Sequence, residues 1–193
     1  RKVKKEGNPY GRLFGSHAFP DKKSLWNWRP GIYIYRDGRA VAYSLWKSKN
    51  FLHPDIRDIG FSEFLKTPLD WKGSPSIKTD SGWTVAEHWY RHVNSWHRLN
   101  NPFLLIVRYE DLVNQPGAVH EKIHRRFFPL RYLFSRIKGS GNNEIALVEK
   151  KVGLVPNRGI IDAWKEAFSK DDEQYFKSVL PDSRYLYRSK QGA

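Results

Sequence analysis

The chain has 193 residues, 39% of them hydrophobic and 15% aromatic, which suits one domain around a single sizeable core and excludes a disordered chain. Lys and Arg number 34 against 20 Asp and Glu, and the resulting net charge of +14 gathers anions: a phosphorylated cofactor, nucleic acid, a sulfated glycan or an acidic membrane face. The lack of cysteine excludes disulfides, thiol nucleophiles and cysteine-ligated zinc, and no apolar run approaches the ~20 residues that span a bilayer.

Charge alone does not choose among those partners, and a generally basic surface is the plain alternative. The chain begins at Arg1 and contains no Met, so residues 1–193 read as a single domain that is N-terminally incomplete.

In chain order, Arg12 to Ser16 predicts a short strand ending at His17. Ile32-Tyr33-Ile34-Tyr35 is a β-favouring run bounded by Pro30-Gly31 and Asp37-Gly38. From Arg39 to about Lys49 the residues favour helix, with Asp37 as its cap. The stretch from Phe51 to Gly82, with prolines at 54, 68 and 75, predicts irregular chain. Thr84 and Glu87 form a capping-box pattern, and Val85, Trp89, His92, Val93, Trp96 and Leu99 then recur at helical spacing. Phe103 to Val107 is an unbroken apolar run, as in a strand covered on both faces. Further helices are predicted over Ala118 to Phe128, Asn143 to Lys150 and Lys170 to Leu180.

Strands alternating with helices predict an α/β domain, three layers deep (α/β/α) with a central parallel sheet. Ligands of such sheets bind at the carboxyl ends of the strands, which points to His17, Arg36 and Tyr109. Arg36 leaves the sheet where a helix begins, among backbone N–H groups and the positive end of the helix dipole. Its guanidinium suits a phosphate, and Ser44, about two turns onward, offers a hydroxyl to the same anion. The competing reading is a surface arginine paired with Asp37 and a serine on a half-buried helix.

These residues resemble a family. Arg36 followed eight positions later by Ser44 is similar to the 3'-phosphate-binding strand–helix of sulfotransferases that use 3'-phosphoadenosine-5'-phosphosulfate (PAPS). The turn reads Asp-Gly-Arg-Ala where the family often has Asn-Pro-Lys-Asp. Gly15-Ser16-His17-Ala18-Phe19-Pro20 resembles the family's Lys-Thr-His segment, although Gly15 replaces the lysine. Arg108-Tyr109-Glu110-Asp111-Leu112 resembles its Arg-Tyr-Glu-Asp-Leu hallmark, and Asn157-Arg158-Gly159, with Trp164-Lys165 beyond, its late Arg-Lys-Gly loop.

The resemblance implies a P-loop-NTPase-like sulfotransferase fold and transfer of a sulfuryl group from PAPS to a hydroxyl or amine. His17 would be the general base, with a pKa suited to the task. Arg36, Ser44, Asn157, Arg158 and Gly159 would surround the 3'-phosphate, Asn157 more weakly than the family's arginine, and Tyr109 the adenine. Glu110 and Asp111 read as structural, Trp89 and Trp96 as core. No metal is required.

The acceptor implied is a small molecule or a glycan of unknown identity; the segment from Phe51 to Gly82, with Trp71 and His53, is expected to serve it, and its composition fits a sugar, a phenol or a peptide equally well. Nucleic acid is disfavoured, since no helix-turn-helix, RNP or zinc-finger signature is present. The compartment implied is cytoplasmic, or lumenal with an anchor outside this sequence. Before His17 nothing matches the Ser/Thr/Gly-rich loop with a lysine that cradles the 5'-phosphosulfate; Gly139-Ser140-Gly141 falls too late, and no G-x-x-x-x-G-K-[ST] exists. The alternative function is therefore a catalytically inactive protein of this fold that binds nucleotides or polyanions.

Overall fold

The computed structural model describes residues 19–20, 30–49, 52–69, 82–99, 101–137 and 160–186. The alternating Ile and Tyr run forms strand β1, Gly31–Tyr35, which pairs in parallel with β2, Leu104–Arg108, from Gly31↔Leu104 to Tyr35↔Arg108. Parallel neighbours need a crossover between them. Here it carries helices α1 (Gly38–Ser48), α2 (Pro54–Arg57), α3 (Phe61–Lys66) and α4 (Val85–Arg98). After β2 come α5 (Tyr109–Asn114), α6 (Pro116–Phe127) and α7 (Pro129–Ile137), then a 3-10 turn at Ala163–Glu166 and α8 (Lys170–Val179). Mixed helices around a small parallel sheet make this an α/β arrangement, as the alternation predicted.

Successive strand residues point to opposite faces, so the two faces of the sheet meet different helices. Tyr33 and Tyr35 face α4: Tyr33 stacks on Trp96 with ring centroids 5.1 Å apart, and Tyr35 meets His97 edge-on at 5.1 Å. The Tyr33 hydroxyl also hydrogen-bonds to His92 Nδ1 at 2.9 Å. On the other face Leu105 and Val107 pack against Val119 of α6, with Ile123 and Phe127 continuing its apolar stripe at four-residue spacing.

The larger core lies where α1, α3, α4 and α8 meet. Phe64 and Phe176 are wholly buried there, each worth about 2–3 kcal/mol of transfer free energy. The Thr84–Glu87 capping box is present at the start of α4. A second one, Ser169–Asp172, starts α8, and its Asp172 also accepts the hydroxyl of Ser62 from α3 at 2.8 Å. Burial opposes ionisation of Asp172, yet the hydrogen bonds from Ser62 and Ser169, with Lys66 nearby, outweigh it and hold the carboxyl below its ordinary range.

The stretch from Phe51 to Gly82 departs from the irregular chain expected of it, because α2 and α3 form within it. Pro54 begins α2, a position where its missing N–H costs no helical bond, and Ile56, Phe61, Phe64 and Leu65 are buried. Pro116 does the same for α6, which therefore starts two residues before the predicted Ala118. The strand predicted at Arg12 to Ser16 and the helix at Asn143 to Lys150 lie outside the described residues. Among the described residues no helix is long and apolar enough to cross a membrane, and no group of three or more His, Asp or Glu could hold a metal ion.

Candidate functional site

Tyr35 and Arg108 are the last paired residues of β1 and β2, so Arg36 and Tyr109 leave the sheet side by side at its carboxyl end. The Arg36 guanidinium carbon lies 5.0 Å from the centroid of the Tyr109 ring, within cation–π range. Arg36 Nη2 donates to the carbonyl of Ile160 at 3.0 Å. Its Nε is buried and has no hydrogen-bond partner among the described residues. A buried cationic donor without a partner is costly, and an anion would satisfy it.

Asp37 belongs to a different cation. Its carboxylate accepts Arg39 Nε at 3.0 Å and Nη2 at 2.7 Å, a two-pronged pair, and the Arg39 guanidinium sits 3.9 Å over the Trp164 ring. The same carboxylate caps α1 by accepting the Arg39 N–H at 2.9 Å. Arg36 therefore has no carboxylate partner among the described residues, and the reading in which it merely pairs with Asp37 loses its ground. The start of α1 is also less open than expected, since the Asp37 N–H donates to Glu110 Oε1 at 2.9 Å. At this end of the sheet the buried Arg36 Nε is one donor that an anion could satisfy.

Two neighbours hold the strand–helix turn, and Gly38 within it is closely packed. The Trp89 indole Nε1 donates to the Arg36 carbonyl at 2.9 Å. Glu110 is wholly buried; that burial raises its carboxyl pKa, against the lowering effect of the Asp37 N–H. Gly38 is packed so closely that a Cβ would stand 2.6 Å from the Trp89 ring. Here glycine is required by space.

Ser44 sits half-buried on α1, roughly 9 Å along the axis from Gly38, and is hydrogen-bonded to neither Arg36 nor Tyr109. Tyr109 is half-buried as the first residue of α5. His17, Asn157, Arg158 and Gly159 lie outside the described residues, but Ile160, the next in the chain, is the residue whose carbonyl Arg36 binds. Among the described histidines, half-buried His88 is pushed down to about 4, first by burial and then by His92 stacked beside it, so it is neutral at neutral pH. Two contributors carry no sequence signal for their role here. The spacing of Trp89 marks it as core but says nothing of its indole donor, and a backbone carbonyl such as that of Ile160 has no residue-type signature. Glu110, expected to orient the turn that follows it, instead accepts the Asp37 N–H of the β1–α1 turn.

A family model described as the sulfotransferase domain matches residues 3–128, a span that holds His17, Arg36, Ser44 and Tyr109 and ends before Asn157. No curated protein matches the chain at a significant level. With most of its length matched, the chain belongs to the sulfotransferase domain family.

Proposed function

We propose that this domain transfers a sulfuryl group from PAPS to an acceptor hydroxyl or amine. The observation that carries the reading is the meeting of three distant segments at one sheet end: Arg36 after β1, Tyr109 after β2, and Ile160 just beyond Arg158 and Gly159. The residues present fit a phosphorylated adenosine. Arg36 offers a buried Nε donor still to be satisfied, and Tyr109 offers an aromatic face beside it.

In this reading Arg36, Ser44 and Arg158 hold the 3'-phosphate, with Asn157 as a weaker contact and the N–H of Gly159 approaching closely. Tyr109 takes the adenine. The donor, when bound, would supply an activated sulfuryl group for in-line displacement: the acceptor oxygen or nitrogen would bond to sulfur as the sulfur–oxygen bond to the 5'-phosphate breaks, with adenosine 3',5'-bisphosphate as the leaving product. His17 accepts the proton that the acceptor hydroxyl or amine loses, and the remaining residues contribute by positioning. The helices on both faces of the β1–β2 pair support a layered α/β arrangement; in this reading residues 1–193 form one domain with a three-layer, P-loop-NTPase-like fold.

The test is sulfuryl transfer from radiolabelled PAPS, using the full-length protein, a panel of sugar, phenol and amine acceptors, and His17→Ala beside it. The expected result is label transfer by the native protein and a fall of about 10²–10⁴-fold in His17→Ala, with nucleotide affinity unchanged. Equal transfer by both proteins removes His17 as the base. Nucleotide binding with no transfer to any acceptor makes the domain a non-catalytic nucleotide-binding protein instead.

A further inference from the structure

The peptide group that joins Arg36 to Asp37 is held at both ends by side chains from two other elements. Its carbonyl accepts the Trp89 indole N–H of α4 at 2.9 Å, and its N–H donates to Glu110 Oε1 of α5 at 2.9 Å. Both holders are buried, Trp89 at 6% and Glu110 at 0% exposure, so water does not substitute readily for either bond.

A peptide unit is planar, and its orientation fixes ψ of the residue before it and φ of the residue after. On the other side of Arg36, Tyr35 is paired into the sheet. With both flanks fixed, the direction in which the Arg36 side chain leaves the backbone is fixed as well. Turning this peptide would break two buried bonds at once and strand their polar groups.

We infer that Trp89 and Glu110 are positioning residues, which clamp the Arg36–Asp37 peptide from opposite sides and so aim the Arg36 guanidinium at the nucleotide's 3'-phosphate; the inference rests on the function proposed above. Neither touches the ligand. Trp89 combines two separable roles: its ring packs against Phe176 in the core, with centroids 6.2 Å apart, while its N–H serves the clamp. Glu110 needs only an acceptor at Oε1 to serve the clamp, which a glutamine carbonyl also supplies.

The experiment compares calorimetric affinities of the full-length protein for adenosine 3',5'-bisphosphate and adenosine 5'-phosphate, whose ratio isolates the 3'-phosphate. Trp89→Phe keeps an aromatic ring and removes the donor; Glu110→Leu removes the acceptor; Glu110→Gln retains it. The clamp predicts that the ratio falls about tenfold in Trp89→Phe and Glu110→Leu but stays at the native value in Glu110→Gln. Purely structural roles would weaken both ligands alike and leave the ratio where it was. Should Glu110→Leu fail to fold, Trp89→Phe carries the comparison alone. A native-like ratio in Trp89→Phe overturns the clamp while leaving the proposed function standing. If the native protein does not prefer the bisphosphate at all, the nucleotide reading fails first and the clamp with it.

Discussion

Replacing Arg36 with alanine is expected to weaken adenosine 3',5'-bisphosphate binding by about 10²-fold while leaving the melting temperature nearly unchanged. Two charge-assisted hydrogen bonds to phosphate, at roughly 1.5–3 kcal/mol each where water is excluded, account for a loss of that size. The small effect on stability follows from the arginine's surroundings. Truncation sacrifices one bond to the Ile160 carbonyl and a cation–π contact with Tyr109, but it also removes a buried Nε that has no described partner. An arginine kept for folding would show the reverse pattern, a clear drop in stability with binding intact. Arg36→Lys is expected to recover only part of the affinity, because an ammonium cannot reproduce the planar two-donor grip. Calorimetry and thermal denaturation on the same preparations separate these outcomes.

Gly38→Ala should destabilise the domain by about 3 kcal/mol, a large effect for one added methyl. The new Cβ would stand 2.6 Å from Cδ2 and Cε3 of Trp89 and 2.8 Å from Cζ of Phe176, both ring systems in the packed core. Helix propensity pulls the other way, since alanine is favoured over glycine by about 1 kcal/mol inside a helix. Overpacking against two rings outweighs that gain. The effect reaches the site as well: a displaced Trp89 draws its indole N–H away from the Arg36 carbonyl, so nucleotide affinity falls with stability. Urea denaturation is the appropriate measurement, a lower midpoint at constant slope reporting the change. Gly60→Ala is the control, because nothing lies within 4 Å of its Cβ position, and its stability should stay within about 0.5 kcal/mol of native. A Gly38→Ala protein as stable as that control would contradict the packing described at the turn.

The elements that could be read from the sequence are those with local causes. Pro30-Gly31 and Asp37-Gly38 bracket β1, Asp37 caps α1, and Thr84 with Glu87 starts α4, each signal lying within a few residues of its effect. Prolines that suggest breaks in the chain serve in the structure as helix starters: Pro54 and Pro116 occupy first-turn positions, and only the burial of Ile56 and Val119 behind them shows that a helix is worth forming. Sequence spacing also brought Arg36 and Tyr109 to strand ends, and parallel pairing in register set them side by side.

What holds Arg36 could not be read in this way. Its contacts come from Ile160, 124 residues away, and from Trp89, 53 residues away, while Asp37 is tied to Glu110 across 73. Local charge suggests an Arg36–Asp37 pair. Instead Asp37 takes Arg39, because the first turn of α1 brings that guanidinium back onto the cap carboxylate, with Trp164 beneath it. Freed from its neighbour, Arg36 keeps its charge for something else.

The most direct test of the nucleotide cradle is a structure of the full-length protein with adenosine 3',5'-bisphosphate bound. The 3'-phosphate is expected about 2.7–3.0 Å from the Arg36 guanidinium, with the purine against Tyr109 at the carboxyl ends of β1 and β2. A nucleotide seated away from that sheet end, with Arg36 still bonded only to Ile160, would contradict it.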